Sequence, residues 1–360
     1  MPPPADTERT YVANPTVRLD GQENERMAAL ITSMVMNEQE GGLSSLELRL
    51  TNSASLRGGG AEYAFDVGGE LAFGAEIVIG AGDTAAPVEI FRGIVTGLEG
   101  IFNKETPPEI IVLAEDALQK ARCKRRTKVY EDQSLADIAR AIAGDHGLTP
   151  QIDGLDQNFG TQVQLNETDL GFLRRLIARV DADLQIVGNN LQISPRANVR
   201  RGELELALGG ELRAARVLAD LAHQITKSTV KGWDVSGGSV MDGEGAENAL
   251  GPGEGKKGGE TLSDALGDRT HHSCHHFTFN QDEVDAVATT VRNRRARRFL
   301  RVQGETTGSP ALRVGTHVKL TGLSTWFSNT FYVTSARHLF DLRSGYRTEF
   351  EGQCAYLGDT

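Results

Sequence analysis

Several things are scarce in this chain, and each scarcity removes a class of function. It has only three cysteines, Cys123, Cys274 and Cys354, far apart and odd in number. A disulfide framework is therefore not expected, and a reducing compartment fits. No run of 18 apolar residues occurs, which argues against a membrane-spanning helix. The first residues, MPPPADTERT, carry neither a basic segment nor an apolar one, so no secretory signal is expected and folding is assigned to the cytoplasm. Positive charge is also short. The formal net charge of -11 disfavours a general nucleic-acid binder, which needs a surplus of Lys and Arg on one face.

What is present suits a soluble globular protein of two or three domains. At 360 residues, 39% hydrophobic and 24% charged, the chain has material for several cores. Residues 11 to 118 read mainly as strands. Leu46, Leu48 and Leu50 alternate with Glu47 and Arg49, as do Tyr63, Phe65 and Val67, and Ile77 with Ile79. Gly93 and Gly97 mark places where a long strand would bulge or bend, and Pro107 and Pro108 make a turn before EIIVLAED. Such strands at short spacing point to a barrel or sandwich.

The texture changes near Leu118. Ser134 is a helix cap ahead of Leu135, Ile138, Ala139 and Ile142, with Asp137 in the first turn and Gly144 and Gly147 at the end. Thr168 or Asn166 opens a second helix carrying Leu173, Leu176, Ile177 and Val180 on one face. LQIV and LQIS around Gly188, Asn189 and Asn190 form a hairpin signal. Residues 119 to 201 thus read as a small α/β module between two β-rich regions. In the third region, 202 to 360, a strand is expected around Ile225 to Trp233. Ser236 to Thr270 holds ten glycines and no aromatic residue. That composition buries too little apolar surface to offset its ordering entropy, so a flexible loop is expected at about 236 to 270. A helix restarts at Asn280, with Glu283 three residues after the cap, and arginines crowd its end near 301. The fold class expected is α+β, mainly β.

The chemistry-bearing residue types are weakly organised. His271, His272, Cys274, His275 and His276 are of metal-ligand type, but no second Cys/His cluster completes a site, and no metal or cofactor is expected. Asp181 with Asp183, and Glu131 with Asp132, are carboxylate pairs better explained by helix ends and turns than by glycoside hydrolysis. Cys123 lies among basic residues but lacks a partner base and reads as buried or idle. Gly255, Lys256, Lys257 and Gly258 do not follow phosphate-loop spacing. Two basic clusters stand out: one includes Lys124, Arg125 and Arg126, the other Arg292, Arg294, Arg295, Arg297 and Arg298. Neither is interleaved with the aromatics that single-strand binders stack on, so a solvated face or contact with an acidic partner is preferred over nucleic acid, the arginines at 292 to 301 being the leading candidates for an acidic neighbour.

Three segments carry a resemblance. FRGIVTGLEGIF with IIVLAEDAL and KARCKRRTKVYEDQSLADIARAIAGDHGL comes first, QLNETDLGFLRRLIARVDADLQIVGNNLQIS second, and GSPALRVGTHVKLTG with TFYVTSARHLFD and GYRTEF last. In this order they cover most of residues 90 to 355 and resemble the phage late control D family, the hub proteins of contractile tails and injection systems, and are similar to the hub portion of VgrG proteins. The resemblance implies a non-enzymatic homotrimer in which two tube-type β-barrel domains per chain, 1 to 118 and 202 to 360, are joined through the α/β module. Three chains then present six near-equivalent barrels, which adapts a threefold spike to a sixfold tail tube. The implied partners are copies of itself, a separate spike protein (the chain stops at Thr360, without room for a spike), the first ring of tube proteins and baseplate proteins, with no membrane span and no sequence-specific nucleic acid. Assembly in the bacterial cytoplasm into a tail or injection particle is implied as well. A second reading comes from Ser134 to Pro150, whose rhythm resembles a glycan-binding LysM unit. It makes the chain a peptidoglycan-binding wall-attachment protein or a tail-associated wall hydrolase, although Tyr130 and Phe159 are nearly alone as aromatics there.

Overall fold

A computed structural model describes residues 14–55, 61–65, 71–83, 86–234, 237–274 and 278–358. The molecule is mainly β, built on one large sheet of 13 strands. Its first half consists of β1 (Thr16–Leu19), β2 (Gln22–Glu23), α1 (Glu25–Ala29), β3 (Ile31–Gln39), β4 (Ser45–Thr51), β5 (Ala54–Ser55), β6 (Ala61–Glu62), β7 (Glu76–Ala81), β8 (Val88–Ile101) and β9 (Glu109–Glu115). The antiparallel order is β3-β4-β9-β8-β7-β1-β2. Alternation in β4 turns Leu46, Leu48 and Leu50 inward against Met34, Met36, Ile77 and Val112. The long β8 slips register between Val95 and Gly97. Gly93 is required where β8 presses on β9, because a Cβ there would sit 2.3 Å from the Glu115 carbonyl oxygen.

The middle of the chain forms α2 (Gln119–Cys123), β10 (Arg125–Tyr130), α3 (Leu135–Asp145), β11 (Thr149–Ile152), β12 (Gln162–Thr168), α4 (Asp169–Ile177), β13 (Ala182–Val187) and β14 (Asn190–Pro195). Ser134 accepts from the Asp137 N–H and Thr168 from the Gly171 N–H, so both expected caps form. The β13–β14 hairpin turns at Gly188, whose φ is +62°, and β11 runs parallel to β14. Leu135, Ile138, Ile142, Phe172, Leu173 and Leu184 belong to a separate apolar cluster.

The last part comprises β15 (Gly202–Ala207), β16 (Leu212–Ala219), β17 (Lys227–Asp234), β18 (Ser239–Glu244), β19 (Lys256–Lys257), α5 (Gly258–Leu266), β20 (Thr270–Ser273), α6 (Gln281–Arg297), β21 (Leu300–Thr307), β22 (Thr316–Thr321), β23 (Thr330–Asp341), β24 (Gly345–Cys354) and β25 (Tyr356–Leu357). Here the order is β16-β21-β24-β23-β22-β15, around Phe299, Val302, Phe331, Val333 and Phe350. The two halves share β23. Its start pairs with β22 through Thr330, Phe331 and Tyr332; after an irregularity between Val333 and Ser335, residues Ser335 to Asp341 pair with β3. The β-rich regions are thus one continuous sheet.

The flexible loop expected at about 236 to 270 is corrected. Where described, this segment holds β18, β19, α5 and β20, paired respectively with β17, β25 and β17 for the strands. Several of its glycines are contact points. A Cβ on Gly245 would stand 2.2 Å from the Ala288 carbonyl oxygen, and one on Gly255 2.0 Å from that of Leu357. Backbone laid directly on backbone replaces the apolar side chains whose absence suggested disorder.

Candidate assembly interface

The middle module is clamped to the sheet at the β3–β4 turn. Arg174 on α4 donates to the Gly41 and Gly42 carbonyls at 2.8 Å each, and the Gly41 N–H donates to Asp183 Oδ1 at 3.2 Å. Asp183 is buried and also receives Arg201 Nη1 at 2.6 Å. Arg196, in the short turn after β14, lies 2.8 Å from Glu40 Oε1 and stacks its guanidinium 3.8 Å from the centre of the Tyr332 ring. Burial raises the Glu40 carboxyl above its ordinary pKa even though Arg196 opposes it.

A second clamp lies where β3 meets β23. Glu38 follows Met34 and Met36 at period two and is as buried as they are. Arg313 holds its carboxylate through two hydrogen bonds of 2.9 and 3.0 Å, and the Val314 N–H adds a third at 3.1 Å. Burial alone would raise this carboxyl, but Arg313 and the N–H outweigh it, and its pKa falls below the ordinary value. Next to it His338 is fully enclosed. Burial, then the Arg313 charge, pushes its pKa down to about 3, so it is neutral and exchanges a 2.7 Å hydrogen bond with the Tyr346 hydroxyl.

The arginines expected to face a neighbour divide into two groups. Arg297 is corrected: its side chain is buried and gives Asp181 two hydrogen bonds of 2.7 Å and the Ala249 carbonyl one of 2.8 Å. It ties α6 to the turn before β13 and is not available to another chain. Arg292 is likewise turned inward, 3.4 Å from Glu247, and Arg295 reaches the His223 carbonyl and His271 Nδ1. Arg294 and Arg298 remain exposed, the former 3.3 Å from Asp181. In the other cluster Arg126 is held by Asp169 at 2.6 Å and Asp145 at 2.8 Å, whereas Lys124 and Arg125 are exposed, with Arg125 donating to the Asn166 carbonyl.

The remaining candidates are scattered. His271 and His272 succeed each other along β20 and so point to opposite faces, His271 toward Arg295 and His272 toward Thr229 at 2.6 Å. Cys274 is exposed, and His275 and His276 lie outside the described residues. Among the described residues no group of three or more His, Cys, Asp or Glu side chains is placed to hold a metal ion. Cys123, read as buried or idle, is exposed, because the only side chain that the short α2 buries is Ala121. Among the described residues no helix is long and apolar enough to cross a membrane. Nothing in the sequence marks Arg313, Arg174 or Arg196 as clamp residues; the one local signal is a carboxylate at an inward strand position, Glu38.

The overall shape is shared with tail proteins. The 43 kDa tail protein of prophage MuSo2 from Shewanella oneidensis superposes with a TM-score of 0.69 at 14% identity, over 94% of this chain and 97% of that one. A tail protein from Neisseria meningitidis MC58 gives 0.65 at 10% identity, over 95% and 98%. An E. coli protein, c3393, described as a component of the type VI secretion system with structural similarity to the T4 bacteriophage tail proteins gp27 and gp5, gives 0.57 at 14% identity, over 92% and 76%. At these identities the likeness is one of fold. No curated protein matches the chain. A family model, described as the Alg8 N-terminal domain, matches residues 15–341, and the chain belongs to that family.

Proposed function

We propose that this chain is a structural hub of a contractile phage tail or contractile injection system, akin to the late control D family and to the hub portion of VgrG proteins. One observation carries the reading: a single chain places two β-rich cores on one sheet, joined edge to edge through β3 and β23. With residues 1–118 and 202–360 acting as two tube-type closures around the module at 119–201, three copies present six closures in a ring. A ring of that kind mates a threefold spike on one face and a tube of sixfold rings on the other. The similarity to tail proteins along nearly the whole of both chains supports it. The role is mechanical and non-enzymatic, and the clamps at Glu38 and Asp183 suit a part that transmits force without its halves parting.

The partners are further copies of the chain, a separate spike, the first tube ring and the baseplate, met in the bacterial cytoplasm before the particle is complete. Subunit contacts of an obligate ring bury on the order of 2,000 Å² or more. Arg294, Arg298, Lys124 and Arg125 are the exposed members of the basic clusters and the proposed contacts to acidic neighbours. Light scattering of the purified chain, alone and with its spike, together with negative-stain images, tests the hub reading. A mass of three chains and a ring with six lobes is expected; a monomer under both conditions overturns it.

A further inference from the structure

The module, the β3–β4 turn and the end of α6 enclose a cavity of about 250 Å³. Five guanidinium groups line it: Arg174 from α4, Arg196 from the turn after β14, and Arg294, Arg297 and Arg298 from the end of α6. Among the described residues that line it, only two, Glu40 and Asp181, carry carboxylates. In a chain whose net charge is -11 this is a local reversal of sign.

The two carboxylates are already taken. Asp181 is shared by Arg297 and Arg294, and Glu40 is held by Arg196. Arg174 contacts two carbonyl groups, and among the described residues no carboxylate pairs with Arg298. An independent observation concerns the inner wall. The side chains of Arg196 and Arg297 are only 5% and 3% exposed, yet Arg196 Nη2 and Arg297 Nε have no hydrogen-bond partner. Buried charged donors left unpaired are costly, and a cavity bordered by them is short of acceptors.

We infer that this cavity binds a compact oxyanion of the phosphate class. The planar fork of arginine matches tetrahedral oxyanions, and several forks converging from different elements satisfy more than one oxygen at once. The volume lies below the roughly 300–1,000 Å³ of pockets for drug-sized ligands, which favours a single phosphate group over a whole nucleotide. Arg294 and Arg298 stand exposed at the mouth and receive the anion, Arg174 flanks it, and Arg196 and Arg297 supply a fixed positive background. The bound anion bridges α4, the turn after β14 and the end of α6, so it stabilises the fold where the module meets α6.

The inference does not rest on the hub reading, since it concerns the isolated chain, whereas the hub reading is judged by ring mass. The melting temperature and calorimetric titration are followed with inorganic phosphate at constant ionic strength, sodium chloride making up the balance. Expected is a saturable rise in melting temperature with phosphate and a heat of binding. Arg298→Gln, exposed and free of intrachain carboxylates, should fold normally and weaken the affinity about tenfold or more, the loss expected for one charge-assisted hydrogen bond. Arg294→Gln should act in the same direction. A parallel titration with adenosine monophosphate separates the sources: binding of both ligands marks a site for phosphate groups in general, and binding of phosphate alone marks a site for the free ion. The inference is overturned if chloride reproduces the rise, or if Arg298→Gln and Arg294→Gln both bind phosphate like the parent.

Discussion

At the scale of single residues, the charges that matter to folding are those the sheet encloses. Glu38 and Arg313 are 275 positions apart and meet at the β3–β23 seam. Arg313→Met leaves a buried carboxylate without its cation, and a loss of about 3–5 kcal/mol is expected from urea unfolding. Arg298→Ser, on the surface, should stay within about 0.5 kcal/mol by the same measurement. Acid sensitivity follows from the same neighbourhood. His338 is neutral in the fold, with a pKa near 3, while the unfolded chain titrates near the ordinary 6.5. Between these values the unfolded state binds more protons, so stability falls as pH drops from about 6.5 to about 3. The lowered carboxyl of Glu38 adds a loss in the same direction once pH passes below its unfolded value. His338→Gln should flatten the decline between pH 6 and 4 in an unfolding series; an unaltered slope would show that other groups govern it.

At the scale of elements, glycine has two opposite meanings, and substitution separates them. Gly144 lies within α3, is exposed, and has open space where a Cβ would go. Gly144→Ala is expected to stabilise by about 0.5–1 kcal/mol, read from the shift in unfolding midpoint. Gly255 has φ +117° and would drive a Cβ into the Leu357 carbonyl. Gly255→Ala should detach β19 from β25, seen as faster hydrogen exchange at Lys256 and Leu357, the pair whose amides face across the two strands; unchanged exchange would mean that the segment yields without cost. The helix caps at Ser134, Thr168 and Asn280 were legible in the sequence because a cap is a relation between residues three apart. The glycine-rich segment was not, because whether a glycine loosens a chain or admits another backbone depends on what approaches it.

At the scale of the whole molecule, sharing β23 makes the two halves one mechanical unit. Hydrogen exchange under native conditions should therefore report similar opening free energies for β4 in the first half and β21 in the second. Glu38→Gln keeps the shape but removes the charge that Arg313 holds, and it should separate those values; equal values in the variant would show that strand pairing alone couples the halves.

Local order was thus settled by the sequence alone: alternation placed Leu46, Leu48 and Leu50 inward, and period and cap placed the helices, since those relations span a few residues. Tertiary structure decided the rest. Arg297 reads like its exposed neighbours on α6 and turns inward only because Asp181, 116 positions earlier, waits there. Burying a guanidinium requires a partner, and a partner brought from so far along the chain exists only once the chain has folded.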